Sequence, residues 1–175
     1  MRGPGGGART AGEATVIKSE LGVSVGRKAP DFSLAGWPGG ARVGLKNFRG
    51  RVTVLYFYPK DGTPGCTREA CEFGAAYATL RAAGAELVGV SPDPVGSHAA
   101  FAAKHGLAFT LLSDPDHKVA EAYGVWVRKN LYGRVSMGVR RATFLLDARG
   151  VVRRVWTKVK PEGHAAEVLA ALKDL

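Results

Sequence analysis

Both cysteines of this 175-residue chain lie within one short stretch, YPKDGTPGCTREACEF, at residues 58–73. Cys66 follows a loop rich in Pro and Gly, and a helical pattern runs from Thr63 to Ala83, so Cys66 is predicted at an exposed helix start. Unpaired backbone N–H groups and the positive end of the helix dipole favour an anion there. They therefore favour the thiolate, the nucleophilic form of cysteine. Thiol chemistry is one interpretation of Cys66, and an inert small apolar residue is the other.

Cys71 falls on the same predicted helix, five positions after Cys66. On an intact helix this spacing turns the second residue by about 140° and separates the two Cα atoms by roughly 8.6 Å. A disulfide needs Cα atoms closer than about 7 Å. The two cysteines can therefore bond only if the first helical turns unwind. The alternative is that Cys71 is a buried helix residue and nothing more, since free cysteine is among the most buried residue types.

The rest of the chain alternates between strand and helix patterns. Residues 51–58 are an unbroken β-branched and aromatic run, typical of a strand buried on both faces. The other predicted elements are an N-terminal edge hairpin from APDFSLAG and ARVGLKNF, strands at 85–91 and 108–114, helices at 97–106 (capped by Ser97) and 115–124, a basic glycine-containing loop at 127–140, a hairpin at 141–156, and a closing helix that starts at Pro161. This order predicts an α/β fold with a central mixed β-sheet flanked by helices.

Length and composition favour one domain. We expect a flexible, Gly-rich tail over residues 1–22 and a single domain over residues 23–175. The sequence contains no run of 18 apolar residues, so no membrane-spanning helix is predicted. The N-terminus also lacks the apolar segment of a secretory signal. Two cysteines are too few for the disulfide framework of a small secreted protein. The expected location is therefore the cytoplasm.

The formal net charge of +10 is concentrated in one segment. Residues 128–160 contain ten Lys or Arg residues and a single acid, Asp147. Such a basic face can attract nucleic acid or an acidic partner. No nucleic-acid motif accompanies it and no aromatic residues are interleaved for base stacking, so a solvated surface is the favoured interpretation.

Other titratable residues give no clear site. The histidines are scattered along predicted helices without metal-ligand spacing, so no metal is expected, and all are interpreted as surface residues: His98, His105, His117 and His164. Three acids near the cysteines, Asp61, Glu69 and Glu72, are interpreted as solvated charges, although Glu69 can also steady the helix start through the dipole.

The residues around Cys66 resemble a known family. Pro59, Thr63 and Cys66 form the pattern P-x-x-x-T-x-x-C, which is similar to the active-site motif of the peroxiredoxins. The longer run YFYPKDGTPGCTREACEF resembles the peroxiredoxin Q subfamily, also called bacterioferritin comigratory protein. The similarity continues through APDFSL, GVSPD, FAAKHGL, LLSDPD, VAEAYGVW and RATFLLDARGVV, and covers about residues 25–172. One departure is Gly74, where the subfamily often has an arginine.

The resemblance implies a thioredoxin-like fold and a thiol peroxidase that acts on hydrogen peroxide and organic hydroperoxides without a cofactor. Cys66 matches the peroxidatic cysteine, which a peroxide converts to a sulfenic acid. Cys71 matches the resolving cysteine of part of the subfamily, whose disulfide a thioredoxin-type protein reduces. Thr63 is implied to hydrogen-bond the peroxide and the thiolate, and Pro59 to shield the site from water. The subfamily contains monomers, and the sequence leaves monomer and weak homodimer open.

An arginine from a later strand also supports the family's cysteine. Neighbouring strand residues point to opposite faces, so Arg140 and Arg141 cannot both reach one site. The family frame selects Arg141, whose guanidinium would favour the thiolate and stabilise the leaving oxygen. The alternatives are that Arg141 belongs to the basic surface, and that the protein is a redox-sensing binding protein of the same fold that uses the basic 128–160 face.

Overall fold

The computed structural model describes residues 23–175, so the predicted flexible tail over residues 1–22 lies outside the described residues. Within that range the strands are β1 (Leu34–Trp37), β2 (Arg42–Val43), β3 (Val52–Phe57), β4 (Ala85–Ser91), β5 (Thr110–Ser113), β6 (Trp126–Leu131), β7 (Arg134–Val139), β8 (Ala142–Leu146) and β9 (Val152–Trp156). The helices are α1 (Pro64–Ala82), α2 (Val95–His105), α3 (Lys118–Ala122) and α4 (His164–Leu172), with a short 3-10 helix at Leu45–Phe48. Every helix in this range falls short of the length and apolar character that a bilayer-crossing segment requires.

Seven strands form one sheet in the order β2-β1-β5-β4-β3-β8-β9. β4 lies between β3 and β5 and runs parallel to both, whereas β8 pairs antiparallel with β3. The predicted mixed sheet and the predicted hairpins at both ends of the chain are therefore confirmed.

The register of this sheet decides which loops meet. The parallel strands β3 and β4 end at the same edge, so the loops that follow them are neighbours. Because β8 is antiparallel to β3, with Ala142 opposite Phe57, β8 begins at that edge as well. Arg141, the residue before β8, is thus placed beside the loop that follows β3.

The sheet has a hydrophobic core on each face. Along β3 the side chains alternate between them, so that Leu55 and Phe57 belong to one core while Val54 and Tyr56 belong to the other. The second core also contains residues of α1, α2 and α4. Gly89 of β4 is part of this packing, because a Cβ there would lie 2.9 Å from the Tyr56 ring. That ring packs on Phe73 of α1 with centroids 4.7 Å apart, which fixes α1 on the sheet.

Two predicted helix starts are wrong. α2 begins at Val95 after Pro94, and Ser97 is not its cap. The Ser97 hydroxyl instead donates to Asp61 at 2.8 Å. α4 begins at His164, and Gly163 precedes it with φ of 83°, so Pro161 lies before the helix.

The predicted loop at 127–140 is also wrong, because this segment forms the β6–β7 hairpin. Tyr132 and Gly133 at its tip both have positive φ, which is the backbone of a two-residue hairpin turn. Glycine adopts that conformation readily but tyrosine does not, so the Tyr-Gly pair gave a weak turn signal. Residues 127–140 are therefore a β-hairpin that directly precedes β8 in the chain.

Candidate active site

Cys66 lies in the first turn of α1, as predicted, but its surroundings differ from the prediction. Thr63 precedes the helix and Pro64 opens it. The backbone N–H groups of Gly65 and Cys66 lie too early in the helix to bond a carbonyl within it. Cys66 is only 1% exposed, so the prediction of an exposed thiol is wrong. A buried thiol at a helix start still meets the positive end of the dipole, and burial restricts which molecules reach it.

Arg141 contacts the sulfur directly. Its Nη2 donates to Cys66 Sγ at 3.3 Å, and its Nη1 donates to Glu69 Oε1 at 2.7 Å. Glu69 is three residues after Cys66 on α1, so both lie on one face of the helix. The carboxylate therefore orients the guanidinium so that its second nitrogen faces the sulfur. Gly65 gives the guanidinium room to reach the sulfur, because a Cβ at this position would lie 3.2 Å from Arg141 Nη2.

Glu69 is the main residue that the sequence interpretation placed wrongly. It was expected to be a solvated charge, yet it is 1% exposed. Burial raises the pKa of Glu69 to about 7, although the neighbouring Arg141 guanidinium acts to lower it. Its Oε2 and the Tyr56 hydroxyl are buried without a hydrogen-bond partner among the described residues. One argument from the sequence could have predicted the burial of Glu69. An arginine buried beside Cys66 needs an acidic partner, and Glu69 lies one helical turn after Cys66.

The loop between β3 and α1 is held by a buried hydrogen-bond network around Asp61. Asp61 Oδ2 lies 2.7 Å from His98 Nδ1, and Asp61 Oδ1 accepts from Tyr58 at 2.6 Å. His98 Nε2 lies 3.0 Å from the carbonyl oxygen of Leu112. Both ring nitrogens of His98 thus lie within hydrogen-bond distance of an oxygen, so the ring is held on both sides. The backbone N–H of Asp61 also donates to Asp93 at 2.8 Å, which ties the loop to the end of β4.

This network overturns two expectations. Asp61 is not a solvated charge and His98, at 0% exposure, is not a surface residue. Burial acts to raise the pKa of Asp61, but hydrogen bonds from His98 and Tyr58 outweigh it, so the pKa is lowered. His164 is likewise buried, with Nε2 2.7 Å from the Thr143 hydroxyl, and burial lowers its pKa.

Thr63 and Pro59 both lie in the loop that this network holds. The Thr63 hydroxyl donates to the carbonyl oxygen of Lys60 at 3.0 Å and makes no cap bond to the helix. Since its one hydrogen is used there, the hydroxyl offers Cys66 or a substrate only acceptor lone pairs. Pro59 is half-buried directly after Tyr58.

Cys71 is kept apart from this cluster. It is exposed and free on α1, whereas Cys66 is buried and free, so the alternative of a buried Cys71 is wrong. α1 is continuous from Pro64 to Ala82, so both cysteines lie on one intact helix, the arrangement for which the spacing predicts Cα atoms too far apart for a disulfide. Next to Cys71, Glu72 accepts a hydrogen bond from the backbone N–H of Gly163 at 2.9 Å. Glu72 was predicted to be a solvated charge, and it instead links α1 to the start of α4. That bond lowers the pKa of Glu72.

Cys66 is a buried thiol at a helix start, it contacts an arginine, and it lies beside a mixed β-sheet. This combination of site and fold defines a thiol-dependent redox enzyme. The AhpC/TSA family model matches residues 25–155. A putative peroxiredoxin bcp of Coxiella burnetii is 47% identical over 152 residues, covering 87% of this chain and 100% of that protein. Peroxiredoxin Bcp of Bacillus subtilis is 46% identical over 153 residues, covering 87% of this chain and 97% of that protein.

Solved structures agree in fold. A Xanthomonas campestris bacterioferritin comigratory protein structure, whose description refers to alkyl peroxide reduction activity, superposes with a TM-score of 0.80 at 44% identity, over 86% of this chain and 98% of that chain. A mutant of Xylella fastidiosa PrxQ gives a TM-score of 0.81 at 35% identity, over 87% of this chain and 96% of that chain. The chain belongs to the AhpC/TSA family, in its peroxiredoxin Q, or Bcp, subfamily. It has the thioredoxin-like fold and is a thiol peroxidase, as the resemblance implied.

Proposed function

We propose that Cys66 is the peroxidatic cysteine of this peroxidase. The observation that carries the proposal is the 3.3 Å contact from Arg141 Nη2 to Cys66 Sγ at the start of α1. The Cys66 thiolate attacks one oxygen of the peroxide, the O–O bond breaks, and an S–O bond forms. Cys66 becomes a sulfenic acid and the other oxygen leaves as an alkoxide or hydroxide that takes up a proton. The Arg141 guanidinium stabilises the negative charge that develops on that leaving oxygen.

The loop residues prepare the peroxide for this attack. Thr63, whose hydroxyl hydrogen is held by Lys60, accepts a hydrogen bond from the peroxide O–H. Pro59 stiffens the loop and keeps water from the sulfur. The Asp61–His98 pair anchors the loop that carries both residues.

Cys71 is the resolving cysteine in this proposal. Its thiol condenses with the Cys66 sulfenic acid, forms the Cys66–Cys71 disulfide and releases water. The first turns of α1 unwind to bring the sulfurs together, because disulfide geometry cannot be reached across an intact helix. The family implies a peroxide substrate and a thioredoxin-type dithiol reductant, which is oxidised as it returns both cysteines to thiols.

We further infer a cytoplasmic monomer or weak homodimer that needs no metal or cofactor. Two free cysteines that cycle through a disulfide suit a reducing compartment. Membrane binding and nucleic-acid binding are not part of the proposed function. A redox-sensing role for the basic 128–160 face is the alternative to it.

The test is peroxide consumption with a thioredoxin system by wild type, Cys66→Ser and Cys71→Ser. We expect Cys66→Ser to lose turnover, and Cys71→Ser to react once with peroxide and then stall before recycling by thioredoxin. If Cys71→Ser cycles like wild type, Cys71 does not resolve Cys66. If wild type consumes no peroxide, the role of Cys66 is wrong, and salt-dependent binding of nucleic acid would then support the alternative.

A further inference from the structure

A basic pocket lies next to Arg141 on the side of the β6–β7 hairpin. It has a volume of about 370 Å³ and opens to solvent. Of the described residues that line it, five are cationic and none is acidic; the cationic residues are Arg128, Lys129, Arg140, Arg141 and Lys158. Val127 and Val159 add apolar wall. The proposed peroxidase chemistry uses only Arg141 of this set, so the other cations have no role in it.

Arg141 connects the pocket to Cys66 through its 3.3 Å contact with the sulfur, and Lys129 lines the pocket beside it. Lys129 is half-buried on β6, and its stem crosses the hairpin over Gly138 of β7, where a Cβ would lie 3.2 Å from Lys129 Cδ. The Lys129 ammonium lies in the electrostatic field of two site groups. Burial lowers the pKa of Lys129, the Arg141 charge lowers it further, and Cys66 acts to raise it. Gly138 thus leaves room for the long cationic side chain of Lys129 at the pocket.

Three cations of the pocket, Arg128, Lys129 and Lys158, have no acidic ion-pair partner within residues 23–175. Arg141 is paired with Glu69. Desolvating a lysine beside another cation is unfavourable unless an anion compensates for it. These three residues therefore present positive charge, with some apolar wall, to whatever occupies the pocket beside Arg141.

We propose that this pocket is a substrate subsite that binds the carboxylate of organic hydroperoxides while Cys66 attacks their O–O bond, with Lys129 as the specificity-determining residue. The carboxylate lies among Lys129, Arg128 and Lys158, and the hydrocarbon part contacts Val127 and Val159. Hydrogen peroxide has no group that reaches this subsite. The inference rests on the proposed role of Cys66 and adds a preference among substrates to it.

The test uses two peroxides that differ in charge and by one methyl group. They are cumene hydroperoxide bearing a para carboxylate and the methyl ester of the same compound. We expect wild type to show a higher kcat/KM for the acid than for the ester. Lys129→Met removes the charge but keeps a stem over Gly138, and it should bring the acid-to-ester ratio down roughly fivefold, mainly through KM of the acid. Arg134→Gln, on exposed β7 outside the pocket, is the matched control and should leave the ratio unchanged.

Hydrogen peroxide turnover in the same assay separates this inference from the role of Cys66. An equal loss for acid and ester in Lys129→Met, or no difference between them in wild type, would overturn the subsite while the peroxidase stands. Equilibrium binding of 4-isopropylbenzoate, a carboxylate without an O–O bond, tests the subsite without turnover. We expect weaker binding by Lys129→Met than by wild type, and equal binding, or none by wild type, would contradict the proposal.

Discussion

Arg141 donates to Glu69 at 2.7 Å through Nη1 while its Nη2 faces the sulfur of Cys66. The carboxylate is 1% exposed and the arginine side chain 18% exposed, so this ion pair lies almost out of water. The arginine donates to only one oxygen of the carboxylate, Oε1, and Oε2 has no hydrogen-bond partner among the described residues. The pair thus places an oriented cation at the sulfur of Cys66, and it buries an acid that has one cationic partner.

Removal of the arginine should affect both rate and stability. Arg141→Met loses the cation at the leaving oxygen, and we expect kcat/KM for hydrogen peroxide to fall by about 10²-fold or more. Glu69 would then be buried without its cation, so the free energy of unfolding should fall by about 3 kcal/mol. Steady-state kinetics and urea unfolding measure the two effects. Arg153→Met, which breaks an exposed pair with Asp147, is the control and should change little.

Glu69 should make stability depend on pH. Its pKa is raised from 4.5 to about 7 by burial, so between these values the folded protein binds the proton more tightly than the unfolded chain does. Stability should therefore fall as pH rises through this window, by an amount on the order of 3 kcal/mol in total. Urea unfolding at about pH 5 and about pH 8 should show the fall in wild type and a much smaller one in Glu69→Gln. The same fall in both proteins would assign it to other groups.

The buried pair of Asp61 and His98 should position the catalytic loop. Asp61→Asn removes the carboxylate that His98 and Tyr58 contact, and we expect about 2–3 kcal/mol less unfolding free energy and a lower kcat/KM. Because the pKa of Asp61 is lowered in the fold, its contribution is present above 3.8 and disappears only as pH falls through the folded value. Ser97→Ala removes one hydrogen bond to the same carboxylate and should cost about 1 kcal/mol. A wild-type kcat/KM in Asp61→Asn would limit the pair to stability.

Two glycines of α1 give a matched pair of substitutions. Gly74→Ala places a methyl 3.3 Å from the end of the Leu107 side chain, which can shift, so the gain in helix propensity should dominate, at about 0.5 kcal/mol. Gly65→Ala places a methyl 3.2 Å from Arg141 Nη2 and should push the guanidinium from Cys66. Thermal unfolding and steady-state kinetics should show a more stable, fully active Gly74→Ala and a less active Gly65→Ala. Equal activity of both variants would mean that Arg141 tolerates displacement.

Oxidation should unwind the start of α1. One equivalent of peroxide should lower the far-ultraviolet helix signal and speed amide hydrogen exchange across the helix segment that joins Cys66 to Cys71. Cys71→Ser should form the sulfenic acid and keep the helix. Unwinding in Cys71→Ser would mean that sulfenic acid formation itself, without a disulfide, opens the helix.

The alternating chain pattern was enough to predict the sheet, the long helix and the position of Cys66 on it. The resemblance selected Arg141, and the pairing of Ala142 with Phe57 supplies the physical reason for its position. Burial was harder to predict, because His98 and Glu69 look like ordinary charged residues on helices until distant strands and loops pack over them. The pocket around Lys129 was missed for a different reason, since the turn at Tyr132 and Gly133 carries a weak hairpin signal.

The bond between Glu72 and the backbone of Gly163 joins α1 to the start of α4 one residue beyond Cys71. Arg68 adds an ion pair from α1 to Glu162. In the proposed cycle, unwinding that reaches Cys71 must work against these links, which slows disulfide closure. While the helix stays folded, the sulfenic acid on Cys66 is open to a second peroxide that oxidises it irreversibly to a sulfinic acid. In that proposed cycle, stronger contacts between α1 and the start of α4 would lower the oxidant concentration above which the enzyme is inactivated by its own substrate.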